Sequence, residues 1–468
     1  MVIKKLFSVV KMKFGIVGPI SQFPPIEKLW ERVKKNEEEG YDSVWFGDHL
    51  MAWYPQSIWT PEILPIAKIV LSPHLFWDPF IAMAMVAKET KKIMIGTAVT
   101  EAVRRHPVMI AQSILTVDHI SKGRAILGIG AGEGENIVPY GVDFSKPVSK
   151  MEEAIKIIKL CFESKLGELL NFDGKFWKLK DATFDVPLYQ GRKPPIWVGG
   201  MGQRVLRITG KYADGWLPFI SNPEEYKRCL GVIKETMEKE GRDFKRLEKA
   251  VYVSIIIDKD KESCLRIMKT PIMKMGCLTL PSSIFEKYGY EHPLGKDVHG
   301  LLDYIPSKFS KEQILDAITK IPDEVLGERY VYGSVSDVID TFEKFEKTDC
   351  EHIIMWNETY VGDFSKLRSS YGYIREVIKY FREKETSFET MFFQGACGDI
   401  NSKPAVCKDP EEGFREIERI GKYFAERVIN EIDKIEVFEI ENFKNKSFIC
   451  LFHRPFTFPF LRRSNCER

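Results

Sequence analysis

Asp48-His49, Thr97-Ala98-Val99-Thr100, Ala131-Gly132-Glu133 with Asn136, and Gly199-Gly200 are short polar or glycine-rich clusters, each following a run of aliphatic residues. Their residue types suit acid–base chemistry beside a closely approached ligand. A histidine has an unperturbed pKa near ~6.5, which fits proton transfer at neutral pH. Glu133, if enclosed in a pocket, would have its carboxyl raised and could act as an acid. The small residues of Gly128-Ile129-Gly130-Ala131-Gly132-Glu133-Gly134 let backbone approach a ligand. A phosphate loop would place lysine at that mouth rather than an acid. Each feature also has a plainer explanation. A lone histidine at a strand end is structural more often than catalytic, and Glu133 alone would pass for a salt-bridged surface group. The order and spacing of all four clusters favour a site. Arg104-Arg105-His106 is a further candidate, for phosphate, although short charge runs are usually solvated.

The elements that must position these clusters alternate between strand and helix. KFGIVGPI, YDSVWFGDHL, IMIGTAV, RAILGIG, PPIWVGG, DGWLPF, KAVYVSIIID and CEHIIMWN read as strands. Between them lie amphipathic stretches, at 26–39, 80–90, 107–120, 151–169, 202–213 and 223–241. The Ser121-Lys122-Gly123 turn ends the third of these. Repeated β–α units predict an α/β fold with a parallel sheet, and eight strand candidates fit a (β/α)8 TIM barrel. In such a barrel chemistry sits at the C-terminal strand ends, where the four clusters fall. Residues 258–330 lack clear strands and read as a helical insertion of the kind that shapes a substrate pocket. A helix at 369–385 closes the unit.

Bulk properties narrow the class. The 69 Lys and Arg against 67 Asp and Glu give no reason to invoke nucleic acid or an anionic membrane. The nine cysteines are scattered, odd in number and without a Cys-x-x-Cys pair, which fits a reduced cytoplasm and no zinc site. The apolar stretch from Leu64 to Ala87 is broken by Lys68, Pro73, His74 and Asp78, so no membrane span is expected. Residues 1–11 read as an N-terminal extension, since Met12 directly precedes the first strand.

Residues 12–385 resemble the luciferase-like monooxygenase superfamily, in its branch that uses the deazaflavin coenzyme F420. The resemblance rests on GYDSVWFGDH (Gly40–His49), GTAVT with RRHP (Arg104–Pro107), AQSILTVDHISKGRAILGIGAGE (Ala111–Glu133), PPIWVGG (Pro194–Gly200) and YADGW (Tyr212–Trp216). GAGEGENIVPYG is the discriminating block. The resemblance implies a TIM barrel, usually a homodimer, with a small-molecule substrate and the cofactor at the C-terminal face. It implies a non-proline cis peptide at Ala98-Val99 against the deazaflavin ring. It places Asp48, Thr100, Ala131, Gly132, Asn136, Gly199 and Gly200 around the cofactor. His49 would exchange a proton with a substrate hydroxyl, Glu133 would handle the proton at the ring, and Trp53 would line the site. The activity implied is hydride transfer between F420 and an alcohol or carbonyl. An FMN-dependent monooxygenase is the alternative within the superfamily.

The chain departs from the sugar-phosphate branch of that family. Asn222 stands where that branch has a phosphate-binding lysine, and the loop from Leu50 to Trp77 is long and aromatic, with Trp53, Tyr54, Trp59, Phe76 and Trp77. Both features favour a less charged substrate, while ordinary core packing explains the aromatics equally well. Residues 386–468 read as a small α+β appendage. FFQGACGDIN and EEGFREIERIGKYFAERV resemble part of neutral ceramidase-like proteins, with Asn401 at the position of that family's nucleophilic serine and no matching zinc histidines. Hydrolysis needs nucleophile and activation together, so this segment is expected to be inactive, with an amidase activity as the rival reading.

Overall fold

Short aliphatic runs become strands buried on both faces. β1 (Lys13–Val17), β2 (Ser43–Phe46), β3 (Met94–Thr97), the two-residue β4 (Thr100–Glu101) and β5 (Ala125–Gly130) come first. A hairpin, β6 (Leu169–Asp173) and β7 (Lys178–Thr183), stands apart. β8 (Ile196–Val198), β9 (Gly215–Trp216), β10 (Glu248–Ile257), β11 (Tyr330–Gly333) and β12 (His352–Asn357) follow. This is a computed structural model, and it describes residues 12–17, 26 and 29–386, plus the backbone of two short strands at 436–439 and 448–451.

Eight strands close a parallel barrel in the order β1-β2-β3-β5-β8-β9-β10-β12, with β12 returning to β1. Closure removes exposed edges, and the intervening helices cover the outside. One apolar cluster joins the outward strand residues to these helices, from Phe14 and Val44 to Phe342 and Phe381. A second cluster fills the barrel, where Trp45 and Trp197 meet with ring centroids 5.0 Å apart. Glycine makes room for these indoles, because a Cβ on Gly96 would strike the Trp45 ring and one on Gly215 the Trp197 ring. Deeper in the barrel, Trp45 Nε1 donates to Ser43 Oγ at 2.7 Å, and Ser43 Oγ lies 2.8 Å from His352 Nε2.

The helix ends follow their local chemistry. The helix Pro107–Ser121 starts on Pro107 behind His106, whose side chain accepts from Val108 N. It ends at Lys122 in the left-handed region, with Gly123 at φ 85°. Asn222 accepts from the backbone N–H groups of Glu224 and Glu225 and so caps the helix Pro223–Lys239.

Two expectations need correction. The helix expected to reach Leu169 ends at Glu163, and Leu169 opens the hairpin strand β6. An Asp173-Gly174 turn after an alternating run drives this, with hydrogen bonding from Gly174 N to Trp177 O. Segment 258–330 is built of helices 261–268, 271–277, 282–286, 311–319 and 323–329, but it returns to the barrel through β11, which the sequence reading omitted. β11 pairs in parallel with the last residues of β10, Ser254 to Ile257. The insertion and the loop after β2 share a third apolar cluster, which includes Tyr54, Trp59, Ile66, Met273 and Tyr304.

The chain divides into two compact units, Met12–Lys384 and the terminal segments 1–11 with 385–468. In the latter, Glu436–Glu439 pairs antiparallel with Phe448–Leu451. The ceramidase-like blocks lie outside the described residues. The five described cysteines are free and buried, and no described helix is long and apolar enough to cross a membrane.

Candidate active site

The C-terminal ends of β2, β3, β5 and β8 bring the four clusters to one mouth. Ala98-Val99 is a cis peptide immediately after β3. Thr97 fixes the neighbouring strand, since its Oγ1 donates to Gly128 O at 2.7 Å and accepts from Gly128 N at 2.9 Å. Gly130 and Gly199 flank Val99 so closely that a Cβ on either would stand 2.7 Å and 3.1 Å from its methyl carbons. The floor beneath this peptide is therefore bare backbone. Gly132 and Gly200 both take positive φ, 93° and 123°, which disfavours any side chain there. Trp216 Nε1 donates to Gly200 O at 3.0 Å and fixes the loop after β8.

Asp48 does not face the cleft. It is buried, its Oδ2 accepts from Thr100 Oγ1 at 2.6 Å and from Arg105 Nε at 3.0 Å, and its Oδ1 lies 3.4 Å from Arg104 Nη2. Burial alone would raise its carboxyl. The Arg105 hydrogen bond, the charges of Arg104 and Arg105, and Thr100 together hold it below the usual range. Arg104 also binds Glu101 at 2.5 Å, and Arg105 binds Asp78 at 2.8 Å. The Arg104-Arg105 pair is thus neither solvated nor waiting for phosphate; its charge is spent on three carboxylates of the rim.

His49, Asn136 and Glu133 do come together. Asn136 is buried, and its Oδ1 accepts from Leu50 N at 2.7 Å and Met51 N at 2.9 Å. Those two donors fix the amide, so its Nδ2 must face the other way, 2.9 Å from His49 Nδ1 and 3.2 Å from Glu133 Oε2. An amide N–H only donates, so Nδ1 accepts and the imidazole proton sits on Nε2. Glu133 Oε2 lies 3.4 Å from the same Nδ1. Ala131 and Gly132 connect β5 to this carboxylate. Donor atoms of His49, Glu133 and Glu135 all lie within 4.8 Å of one another, close enough for one proton or one cation to sit among them. Glu135 is the acid whose carboxyl burial and the Glu133 carboxylate push up to about 10. Nothing in the sequence pattern singles out Glu135, which differs from Glu133 only in burial.

The cleft in front of His49 is apolar. It encloses about 850 Å³ of empty space when the open mouth is counted. Val17, Ala52, Ile66, Val70, Pro73, Phe76 and Val361 line it with the aromatic rings of Trp53, Tyr54, Trp59, Tyr252, Trp356 and Tyr360. Among the described residues no lysine or arginine lines it. Phe76 stacks on the His49 ring at 5.0 Å, and Trp53 meets it edge-on at 6.1 Å. The aromatic loop therefore does both jobs weighed above: Tyr54 and Trp59 are buried in the insertion's cluster while they and Trp53 wall the cleft. Behind Trp53 and Trp356 lies a buried ion pair, Arg329 with Glu358, at 3.3 Å. The Arg329 guanidinium sits 4.4 Å from the Phe219 ring centre and 5.6 Å from that of Trp356. Trp356 and Glu358 follow a strand run, so the rule of C-terminal ends marks them too.

The luciferase-like monooxygenase profile matches residues 12–352. The chain belongs to the luciferase-like monooxygenase family. A member from Mycobacterium tuberculosis (strain ATCC 25618 / H37Rv), a phthiodiolone/phenolphthiodiolone dimycocerosates ketoreductase, is 34% identical over 356 residues, 75% of this chain and 93% of that protein. A 5,10-methylenetetrahydromethanopterin reductase from Archaeoglobus fulgidus is 25% identical over 350 residues, 73% of this chain and 92% of that protein. Among solved structures, an F420-dependent secondary alcohol dehydrogenase in complex with an F420-acetone adduct superposes with a TM-score of 0.60 at 21% identity, covering 80% of this chain and 99% of that one. Residues 353–386, outside the profile match, complete the luciferase-like barrel here through most of β12 and its closing helix.

Proposed function

We propose that this chain is an F420-dependent oxidoreductase that interconverts a neutral, apolar ketone and its secondary alcohol. The observation that carries this reading is His49 lining an apolar cleft with its Nδ1 against the Asn136 amide NH2, from which we assign the ring proton to Nε2. An N–H aimed at a carbonyl oxygen both orients the ketone and supplies its proton. The ketoreductase relative supports the same substrate class.

A flat ring fits the floor at Ala98-Val99, where glycines keep backbone bare on either side and an added Cβ would crowd Val99. When bound, the deazaflavin supplies or accepts the hydride. The protein's share is alignment and proton handling. Phe76 and Trp53 hold the imidazole from face and edge, Asn136 favours the Nε2–H tautomer at rest, and Glu133 stands at Nδ1 to exchange a proton with it. In the oxidative direction the tautomer must reverse: Nδ1–H then faces Glu133, and Nε2 takes the hydroxyl proton. The apolar wall excludes water and charged substrates, which accords with Asn222 serving as a helix cap and not as an anion site. The partner on this reading is a small molecule, and a homodimer is the expected assembly.

Titration of the purified protein with oxidised F420 and separately with FMN, followed by fluorescence, tests the cofactor. Steady-state reduction of long-chain methyl ketones against a sugar phosphate tests the cleft. Tight F420 binding with ketone turnover is the expected result. Preference for FMN, or turnover of the sugar phosphate alone, overturns the reading.

A further inference from the structure

Glu135 has no part in the chemistry above, yet it is among the most completely enclosed acids in the chain. It is wholly buried, and neither carboxylate oxygen meets an N–H or O–H donor among the described residues. It lies on the single turn Gly134–Ile137, and the insertion closes over that turn from outside. A Cβ on Gly134 would stand only 2.6 Å from Leu302 O. The groups facing Glu135 are Glu133 beside it in the chain, His49 from the loop after β2, Arg104 from the segment after β4, and Tyr304 from the insertion. Tyr304 is not a donor to it, because its hydroxyl donates to Trp53 O at 3.0 Å.

An ionised carboxylate buried without a donor is strongly unfavourable, whereas a neutral carboxyl needs only one acceptor. The adjacent Glu133 carboxylate is that acceptor. Two carboxyls within 4.8 Å of each other, one of them wholly buried, do not both ionise readily, so one proton is held between them. Burial and the Glu133 charge raise the Glu135 carboxyl accordingly.

We propose that Glu135 holds a proton behind Glu133 and delivers it, through Glu133, to Nδ1 of His49 as Nε2 gives its own proton to the substrate oxygen. This rests on the reading of His49 as the proton donor in ketone reduction. The balance is one proton out of Glu135, one in and one out of Glu133, one onto Nδ1, and one from Nε2 to the new hydroxyl. The imidazole stays neutral and never passes through an imidazolate. Glu135 ends as a carboxylate; once product has left, the Nδ1 proton returns through Glu133 to Glu135 and Nε2 takes a proton from solvent, which restores the starting tautomer. Glu135 thus positions a proton and acts only through Glu133.

The test begins without cofactor. Infrared difference spectra of the full-length protein at neutral pH, wild type minus Glu135→Gln, are expected to show a buried protonated-carboxyl stretch that shifts in D2O. In ketone reduction with F420, Glu135→Gln is expected to lower kcat about 100-fold with KM little changed, and to move the alkaline limb of the kcat profile. Glu135→Asp is expected to restore part of both. Absence of the band from the difference spectrum, or an unchanged kcat and pH profile in Glu135→Gln, overturns the proposal. Failure to bind F420 would remove the functional reading alone, since the band is read without cofactor and decides by itself whether the pair shares a proton.

Discussion

Asn136 and His49, 87 residues apart in sequence, meet with Asn136 Nδ2 2.9 Å from His49 Nδ1. The amide cannot flip without setting its NH2 against Leu50 N and Met51 N, which its Oδ1 now accepts. Asn136→Ala removes both functions at once. Two backbone N–H groups lose their acceptor, so stability falls by about 1–3 kcal/mol, read by denaturant unfolding. The Nε2–H tautomer is no longer enforced, and 15N spectra of the histidines should show His49 shifting toward a mixture. An unchanged His49 signature would remove the tautomer argument.

Asp48 holds the rim together through Thr100, Arg104 and Arg105. Asp48→Asn leaves two partly buried guanidinium groups without their shared counter-charge. A loss of about 1–3 kcal/mol is expected, with the melting temperature as readout, because Glu101 still pairs with Arg104 and Asp78 with Arg105. The native carboxyl is depressed, so its stabilisation is present above the unfolded value near ~3.9 and fades as pH falls through the folded one. The variant should therefore show a shallower acid limb.

His352 gives the opposite kind of acid sensitivity. It is buried beneath Ser43, and burial, helped by the Lys13 and Arg382 charges, lowers its pKa to about 3. The unfolded imidazole titrates near ~6.5, so the unfolded chain takes up a proton that the folded one refuses. Stability is lost as pH falls below the higher value, by about 1.4 kcal/mol per unit until the lower is reached. His352→Gln should remove most of that slope between about pH 6.5 and pH 4, while His292, which is also buried, still contributes in both proteins. Equal slopes in the two proteins would disprove the assignment.

Phe76 both walls the cleft and stacks on His49. Phe76→Ala should lower kcat/KM for a long-chain ketone by about tenfold or more while sparing acetone. Equal losses on both substrates would mean that the ring only positions the imidazole.

Much of this was legible in the sequence because it depends on short-range pattern. Aliphatic runs ending in Asp48-His49, Thr97-Ala98 and Gly199-Gly200 mark strand ends, and a closed barrel gathers strand ends at one mouth. Lys122-Gly123 and Pro107 announce their helix boundaries by backbone preference. Burial is what the pattern does not carry. Glu133 and Glu135 look alike on paper, and only the cover provided by Leu302 and Tyr304, some 170 residues later, distinguishes them. Arg104-Arg105 reads as a solvated run until Asp48, Glu101 and Asp78 are folded against it. β11 escaped notice because four residues after a string of helices give too little alternation, and its pairing is set by β10 rather than by its own composition.

β10 is shared property. Its first residues pair with β9 to close the barrel, and its last four pair with β11, which carries the insertion home. The pocket cover is therefore keyed to the scaffold by backbone rungs and not only by side-chain packing. For anyone wishing to transplant substrate range between enzymes of this architecture, the exchangeable cassette does not stop at Arg329. It has to include Tyr330–Gly333, or the graft arrives without the rail on which it docks.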